Sequence, residues 1–213
     1  VGVDKTAPVI NSFTTPAGAH GENLTISWDT EDEESGIKEL VVVVEKALPP
    51  GEKEFLTEIS LGNLASGSTT LYSDDEGNPL ELEEGERIYL TLNAYNHSEL
   101  ITRGESGVIL YKSTPPEKAV IRNESNFVNL DQANTRGIKA FVELPGEREV
   151  TYSWSLTNTG APGTWTLFEE KELTSPAGWS AADGEVWTFY LKATGISGME
   201  TITAGEGILI DDS

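Results

Sequence analysis

Cysteine is absent from all 213 residues, so the chain has no disulfide, no thiolate nucleophile and no thiolate metal cage. A secreted animal immunoglobulin domain carries a Cys, Trp, Cys pattern; its absence here points to a prokaryotic or disulfide-independent protein. Histidine is nearly missing, with only His20 and His97, both in polar, turn-like stretches. No Gly-x-Ser-x-Gly elbow occurs, and no Gly-rich phosphate loop precedes a helix. These gaps argue against an enzyme, and none is expected. Positive charge is scarce: 14 Lys and Arg stand against 36 Asp and Glu, for a formal net charge of −22. The summed field repels nucleic acid and anionic membrane faces, and it favours solubility, cation binding and tolerance of salt. No run approaches the roughly 18 apolar residues of a membrane span, so direct membrane insertion is not expected. No signal peptide is visible at Val1, so the chain reads as a soluble fragment or a processed protein. Helical periodicity is also lacking; "LFEEKELTS" (167–175) is the only weak candidate.

Short apolar alternations between Gly, Pro, Asn and Asp clusters fill the space. "NLTISW" (23–28) puts Leu24, Ile26 and Trp28 on one face, the period of a half-buried strand. "IKELVVVVE" (37–45) is rich in β-branched residues and is bounded by Gly36 and by "LPPG". "RIYLTLNAY" alternates Ile88, Leu90, Leu92 and Ala94 inward, and "VTYSWSL" and "VWTFYLKA" repeat the theme. Many short strands with regular turn signals read as an all-β sandwich. A chain of this length holds two sandwiches of about a hundred residues each, which need no staple to fold.

The chain also repeats. "EEGERIYLTLNAYNHSELIT" from Glu83 aligns with "ADGEVWTFYLKATGISGMET" from Ala182 without a gap. Gly85 meets Gly184, Leu92 meets Leu191, Ala94 meets Ala193 and Thr102 meets Thr201. With one residue of slippage "GVILYKS" (107–113) meets "GILIDDS" (207–213), and "VGVDKTAPVI" at the start resembles "LYKSTPPEKAVI" at the middle. The period, about a hundred residues, is one sandwich domain. The expected domains are therefore 1–112 and 113–213. Pro115 and Pro116 favour an extended, semi-rigid joint and restrict Thr114.

"DKTAPVI", "LTISWDTEDEESGI", "LEEGERIYLTLNAYN" and "SGVILYKSTPP" together resemble a fibronectin type III or bacterial immunoglobulin-like repeat. The likeness covers most of 4–112 and continues more weakly over 113–213. It implies two consecutive immunoglobulin-like β-sandwiches of an extracellular or cell-surface protein. Two departures stand out. The family's penultimate-strand Tyr is matched by Ile88 and Trp187. The acidic loop of the first repeat is replaced in the second by "LDQANTRGI".

Three residue groups invite chemistry. "WDTEDEESG" crowds Asp29, Glu31, Asp32, Glu33 and Glu34 into the connection between the second and third strands. In an immunoglobulin-like sandwich this loop lies at the pole where the chain enters, near Asp4. Asp4, Asp29, Asp32 and Glu33 are thus the candidate ligands for Ca²⁺, which takes about six to eight oxygens at about 2.3–2.6 Å. The spacing is not that of an EF-hand, and a solvated acidic loop is the competing reading; no cofactor is required. Trp165 in "GAPGTWTL" and Trp179 in "SPAGWSA" follow Gly/Pro turns and are candidates for an exposed sugar-stacking surface, against end caps of the sandwich. Trp28, Trp154 and Trp187 are expected in the core. Asn23, Asn96 and Asn123 head Asn-x-Ser/Thr sequons, a number close to chance in so Ser- and Thr-rich a chain.

The expected role is a non-catalytic spacer: an adhesin stalk, surface-layer piece or filament subunit. Its partners would be neighbouring repeats of a parent chain or other copies of itself. The alternative is a carbohydrate- or protein-binding accessory module, with a glycan or a surface protein as partner.

Overall fold

The computed structural model describes residues 4–21 and 23–212. The chain forms two compact units whose main division falls between Thr114 and Pro115. The first contains β1 (Val9–Thr14), β2 (Gly18–Ala19), β3 (Leu24–Glu31), β4 (Ile37–Leu48), β5 (Glu52–Gly62), β6 (Ser66–Leu71), β7 (Arg87–Asn96), β8 (Ile101–Glu105) and β9 (Ile109–Tyr111). They form a three-stranded sheet, β1-β3-β6, and a larger one, β2-β9-β7-β4-β5, with β8 added alongside β7. All pairings are antiparallel except that of β2 with β9.

The period-two pattern decides what is buried. Leu24, Ile26 and Trp28 of β3 face Leu40, Val42 and Val44 of β4 and Ile88, Leu90, Leu92 and Ala94 of β7 in one core. Removing that apolar surface from water, at about 25 cal/mol per Å², is the main term that holds the two sheets together. Gly67 lets the strands close on Trp28. A Cβ there would sit 2.7 Å from Trp28 Cζ2, so the indole lies flat across β6 only because that position has no side chain.

The second unit repeats this topology with β10 (Val120–Asn123), β11 (Phe127–Asn129), β12 (Lys139–Glu143), β13 (Val150–Thr157), β14 (Thr166–Leu167), β15 (Glu172–Thr174), β16 (Val186–Gly195), β17 (Glu200–Ala204) and β18 (Ile208–Asp211). The sheets are β10-β12-β15 and β11-β18-β16-β13-β14, with β17 alongside β16. Ile88 pairs with Ile109 in one unit, and Trp187 pairs with Ile208 in the other. The aligned residues therefore hold equivalent places, and the all-β tandem expected from the repeat is what the structure contains.

Two sequence expectations need correction. "LFEEKELTS" is not helical: it contains the end of β14, a crossing segment and β15. The helix of the described residues is α1 (Leu130–Arg136). Asn129 caps it by accepting from the Asp131 N–H at 3.0 Å, Asp131 and Arg136 suit its two ends, and Gly137 leaves it at φ 73°. At seven residues it is too short to show a periodic stripe. α1 also sits between β11 and β12, the place held by the β2–β3 connection in the first unit. "LDQANTRGI" therefore does not replace the acidic loop. The equivalent of that loop is 144–149, between β12 and β13.

Candidate functional site

The acidic connection between β3 and β4 does meet the entering chain, and the residue that joins them is Asn96. This side chain ends β7 and is fully buried. Its Nδ2 donates to Asp4 Oδ2 at 2.8 Å, to the Thr6 carbonyl at 2.8 Å and to Asp32 Oδ2 at 3.0 Å. Its Oδ1 accepts from the backbone N–H groups of Ser98 at 3.0 Å and Leu100 at 2.9 Å, which shapes the β7–β8 turn around Glu99 at φ 64°. One amide thus ties together three segments distant in sequence.

The carboxylates are held from their other sides as well. Asp32 Oδ1 accepts from the N–H of Ser35 at 2.7 Å and of Gly36 at 2.9 Å, an Asx-type turn that closes the loop. Ser35 Oγ donates to Asp4 Oδ2 at 2.5 Å, and the Thr6 N–H donates to Asp4 Oδ1 at 2.9 Å. Donors stabilise the ionised form. The Ser35 hydroxyl, followed by the Thr6 N–H, lowers Asp4 from 3.8 to about 2. The Ser35 N–H, then the Asn96 amide, lowers Asp32 against burial and the Asp4 charge.

Asp29 and Glu33 lie apart from this node. On β3, Leu24, Ile26, Trp28 and Thr30 are the buried parity, so Asp29 points outward, where it accepts from Asn11 Nδ2 at 3.3 Å. Glu33 is exposed in the loop. Among the described residues no group of three or more His, Cys, Asp and Glu side chains is arranged to hold a metal ion. Sequence reasoning singled out Asp4 and Asp32 as calcium ligands, and the structure brings these two together at the node; it missed Asn96 and Ser35. Asn96 was legible only as a sequon, and its side chain is buried and fully bonded. The other sequons are engaged too: Asn23 Oδ1 accepts from the His20 N–H at 2.5 Å, and Asn123 Nδ2 donates to Asn126 Oδ1 at 2.8 Å and the Glu206 carbonyl at 3.0 Å.

The two turn tryptophans also part. Trp179 packs edge-on against Trp187, ring centroids 5.1 Å apart, on the core side of β16 that carries Phe189, Leu191 and Ala193. Trp165 lies 5.1 Å from Lys192 Nζ, which stands over its ring. Lys192 has the opposite parity on β16, so Trp165 is on the outer face of the sheet. They do not form a shared stacking platform.

No family model and no curated protein matches the chain. Among solved structures it resembles fibronectin(III)-like modules of Clostridium thermocellum CbhA at TM-score 0.50 and 12% identity, over 96% of this chain and 95% of that one. The fold is a tandem of fibronectin III-like, immunoglobulin-like sandwiches. An amphioxus IgVJ-C2 molecule matches at TM-score 0.32 and 9% identity, covering 90% of this chain and 99% of its own. A chain of a cytokine receptor complex matches at 0.34 and 11%, over 90% and 99%. Within this tandem the Asn96 node belongs to the first module alone: the aligned Gly195 of the second carries no side chain to repeat it. No helix among the described residues is long and apolar enough to cross a membrane.

Proposed function

We propose that the tandem is a non-catalytic spacer within a larger extracellular or cell-surface protein, in the manner of an adhesin stalk, a surface-layer piece or a filament subunit. The fold establishes a modular domain; the spacer role rests on how the chain passes from one module to the next. On the first side, Glu84 accepts from the Ser113 N–H at 2.5 Å, from its hydroxyl at 2.8 Å and from the Thr114 hydroxyl at 2.9 Å. Burial pulls the Glu84 carboxyl up, yet these donors together hold it below its usual value. On the second side, Thr201 Oγ1 donates to the Pro116 carbonyl at 2.6 Å, and the Glu117 N–H donates to Glu147 at 2.9 Å. Each module fastens its own end of the joint, which a load-carrying spacer needs. The test is to replace the tandem in its parent chain by an unrelated two-domain module of equal length. Parent function should survive; its loss would favour the carbohydrate- or protein-binding alternative, for which Trp165 and Trp179 offer no common face.

The Asn96 node is proposed as a latch that fixes the entering segment, with its acid–base behaviour as a signature. Asp4 has a folded-state pKa below its unfolded value, so its contribution is complete above about 3.8 and is lost as the pH falls through about 2. Asp4→Asn should remove this component. The difference in stability between parent and variant, followed by urea unfolding, should be constant above pH ~5 and shrink below pH ~4. An unchanged difference across that window would refute the latch.

Calcium is the second reading, because Asp4, Asp32 and the Thr6 carbonyl place three oxygens within 3.0 Å of one nitrogen. An ion that displaced Asn96 Nδ2 would bind the folded state only and would raise its melting temperature. Millimolar Ca²⁺ with no upward shift in Tm would eliminate this reading and leave the protein-only latch.

A further inference from the structure

The first module has an open seam between its two sheets. β6 is bonded to β3 on one side only, so its other edge presents unpaired N–H and C=O groups, a template for another strand. β5 is the facing edge of the larger sheet. Between them lies a groove of about 410 Å³ whose apolar lining comes from Trp28, Ile59, Leu61, Leu64, Leu71 and Tyr72. Leu64 and Tyr72 on its rim are 65% and 57% exposed.

The second module shows what such a seam looks like when it is filled. There the crossing from β14 to β15 carries Phe168, which is 8% exposed and packs into the core. The corresponding crossing of the first module, residues 63–65, is exposed throughout and puts no aromatic inward. The same topology therefore closes itself in one repeat and stays open in the other.

We propose that this groove is a docking site for an extended, basic peptide segment of a partner protein, which adds as a strand to β6 and seats an apolar side chain beside Trp28. Two observations choose β6 over β5. Both Asp75 carboxylate oxygens accept from the outward Ser60 N–H at 3.0 Å, so the β5 edge is already engaged at the residue that lines the groove. β6 also has only small residues before Leu71, which leave room for an added strand, and the exposed Glu52, Glu54 and Glu58 of β5 add negative charge beside it. The sign of the partner follows from charge. The groove lining contains Asp74 and no basic residue, on a chain of net charge −22. That field attracts a cationic segment and opposes a second copy of this chain. Strand addition takes its affinity from backbone hydrogen bonds and its selectivity from alternate side chains, so the segment should alternate apolar and basic residues. This inference does not depend on the spacer role.

The test uses the full chain labelled with ¹⁵N and a blocked peptide of alternating Lys and Val, matched to the six residues of β6. Controls are a peptide of the same composition with the Val residues in one block, an alternating Glu and Val peptide, and an alternating Lys and Val peptide with one central Pro. The alternating basic peptide should shift and protect amides of β6 and of Leu64 and Tyr72 at millimolar concentration, and the controls should not. Leu64→Ser and Tyr72→Ser alter exposed side chains without changing charge and should each weaken binding by about tenfold or more. Equal binding of the blocked-sequence peptide would mean attraction by net charge alone and would overturn the proposal. So would equal binding of the acidic or Pro-containing peptide, shifts that map to β5 or β8, no shift at all, or β6 protection that grows with protein concentration without peptide.

Discussion

Asn96→Ala should destabilise the first module by about 3 kcal/mol, a fall in Tm of at least about 10 °C for a domain of this size. The substitution strands groups on both sides. Ser98 and Leu100 lose the acceptor of their N–H groups, and Asp4, Asp32 and the Thr6 carbonyl lose a shared donor. Asn96→Asp separates geometry from charge. It keeps an acceptor for the two N–H groups but turns a carboxylate toward Asp4 and Asp32. At neutral pH it should be at least as damaging as alanine. The new carboxyl, crowded by like charges, has its folded-state pKa raised above the unfolded value. Its ionisation is disfavoured in the folded state, so the variant's stability relative to the parent should recover as the pH is lowered toward the ordinary carboxylate range. Urea unfolding followed on amide signals of the first module gives the comparison. If Asn96→Ala costs less than about 1 kcal/mol, the node is not what fixes the entering segment.

How much of this was legible follows from the range of each signal. The β3 and β7 alternations are local and strong, and Leu24, Ile26, Leu90 and Leu92 are buried as the period demands. The duplication was legible because equivalent strands retain equivalent residues at Gly85, Leu92 and Ala94. β2, β11 and β14, of two or three residues each, carry no period to read; they exist because a neighbouring strand offers them hydrogen bonds. α1 had its N-cap Asn129 and its closing Gly137 in plain view, but seven residues are too few for an apolar stripe. The place of "LDQANTRGI" is hidden for a related reason: the two repeats are most alike in their second halves, which say little about the first connections.

The site divides along the same line. Acid content and sandwich topology pointed to Asp4 and Asp32, since both depend on which pole the loop occupies. Asp29 is an outward residue by the β3 parity alone, whatever the acidity of the loop that follows. Asn96 was not legible as a node, because the acceptors of its Nδ2 lie 64 to 92 residues away along the chain and only the fold brings them together. Trp165 and Trp179 had the same local context, a Gly/Pro turn, and different fates. Trp179 follows the β15 crossing back into the core beside Trp187, whereas Trp165 leads into β14 on the outer face.

Trp28 and Gly67 give the second large effect, and it should change sign with background. Trp28→Ala empties the centre of the first core and should cost about 3–5 kcal/mol. Gly67→Ala, alone, places a methyl group 2.7 Å from Trp28 Cζ2 and 3.1 Å from Cη2. Overpacking of this kind costs about 1–3 kcal/mol, and β6 must shift because the ring is pinned by its Nε1 donating to the Leu64 carbonyl at 2.9 Å. Trp28→Phe removes the offending part of the ring and that hydrogen bond together. In its background the reason for glycine disappears. Gly67 does not have a positive φ among the glycines that do, so alanine fits the strand backbone, and it should then gain about 0.5–1 kcal/mol by restricting the unfolded chain. The double-mutant cycle should therefore give a coupling of about 2–3 kcal/mol, with Gly67→Ala destabilising beside Trp and stabilising beside Phe. Additive effects would mean that the ring does not set the spacing of β6. The same cycle bears on the open seam, since the indole that demands glycine at Gly67 also forms the floor of the groove: a smaller ring should deepen the groove and leave the β6 edge available, whereas alanine beside the intact Trp28 should push that edge out of line and weaken capture of a strand.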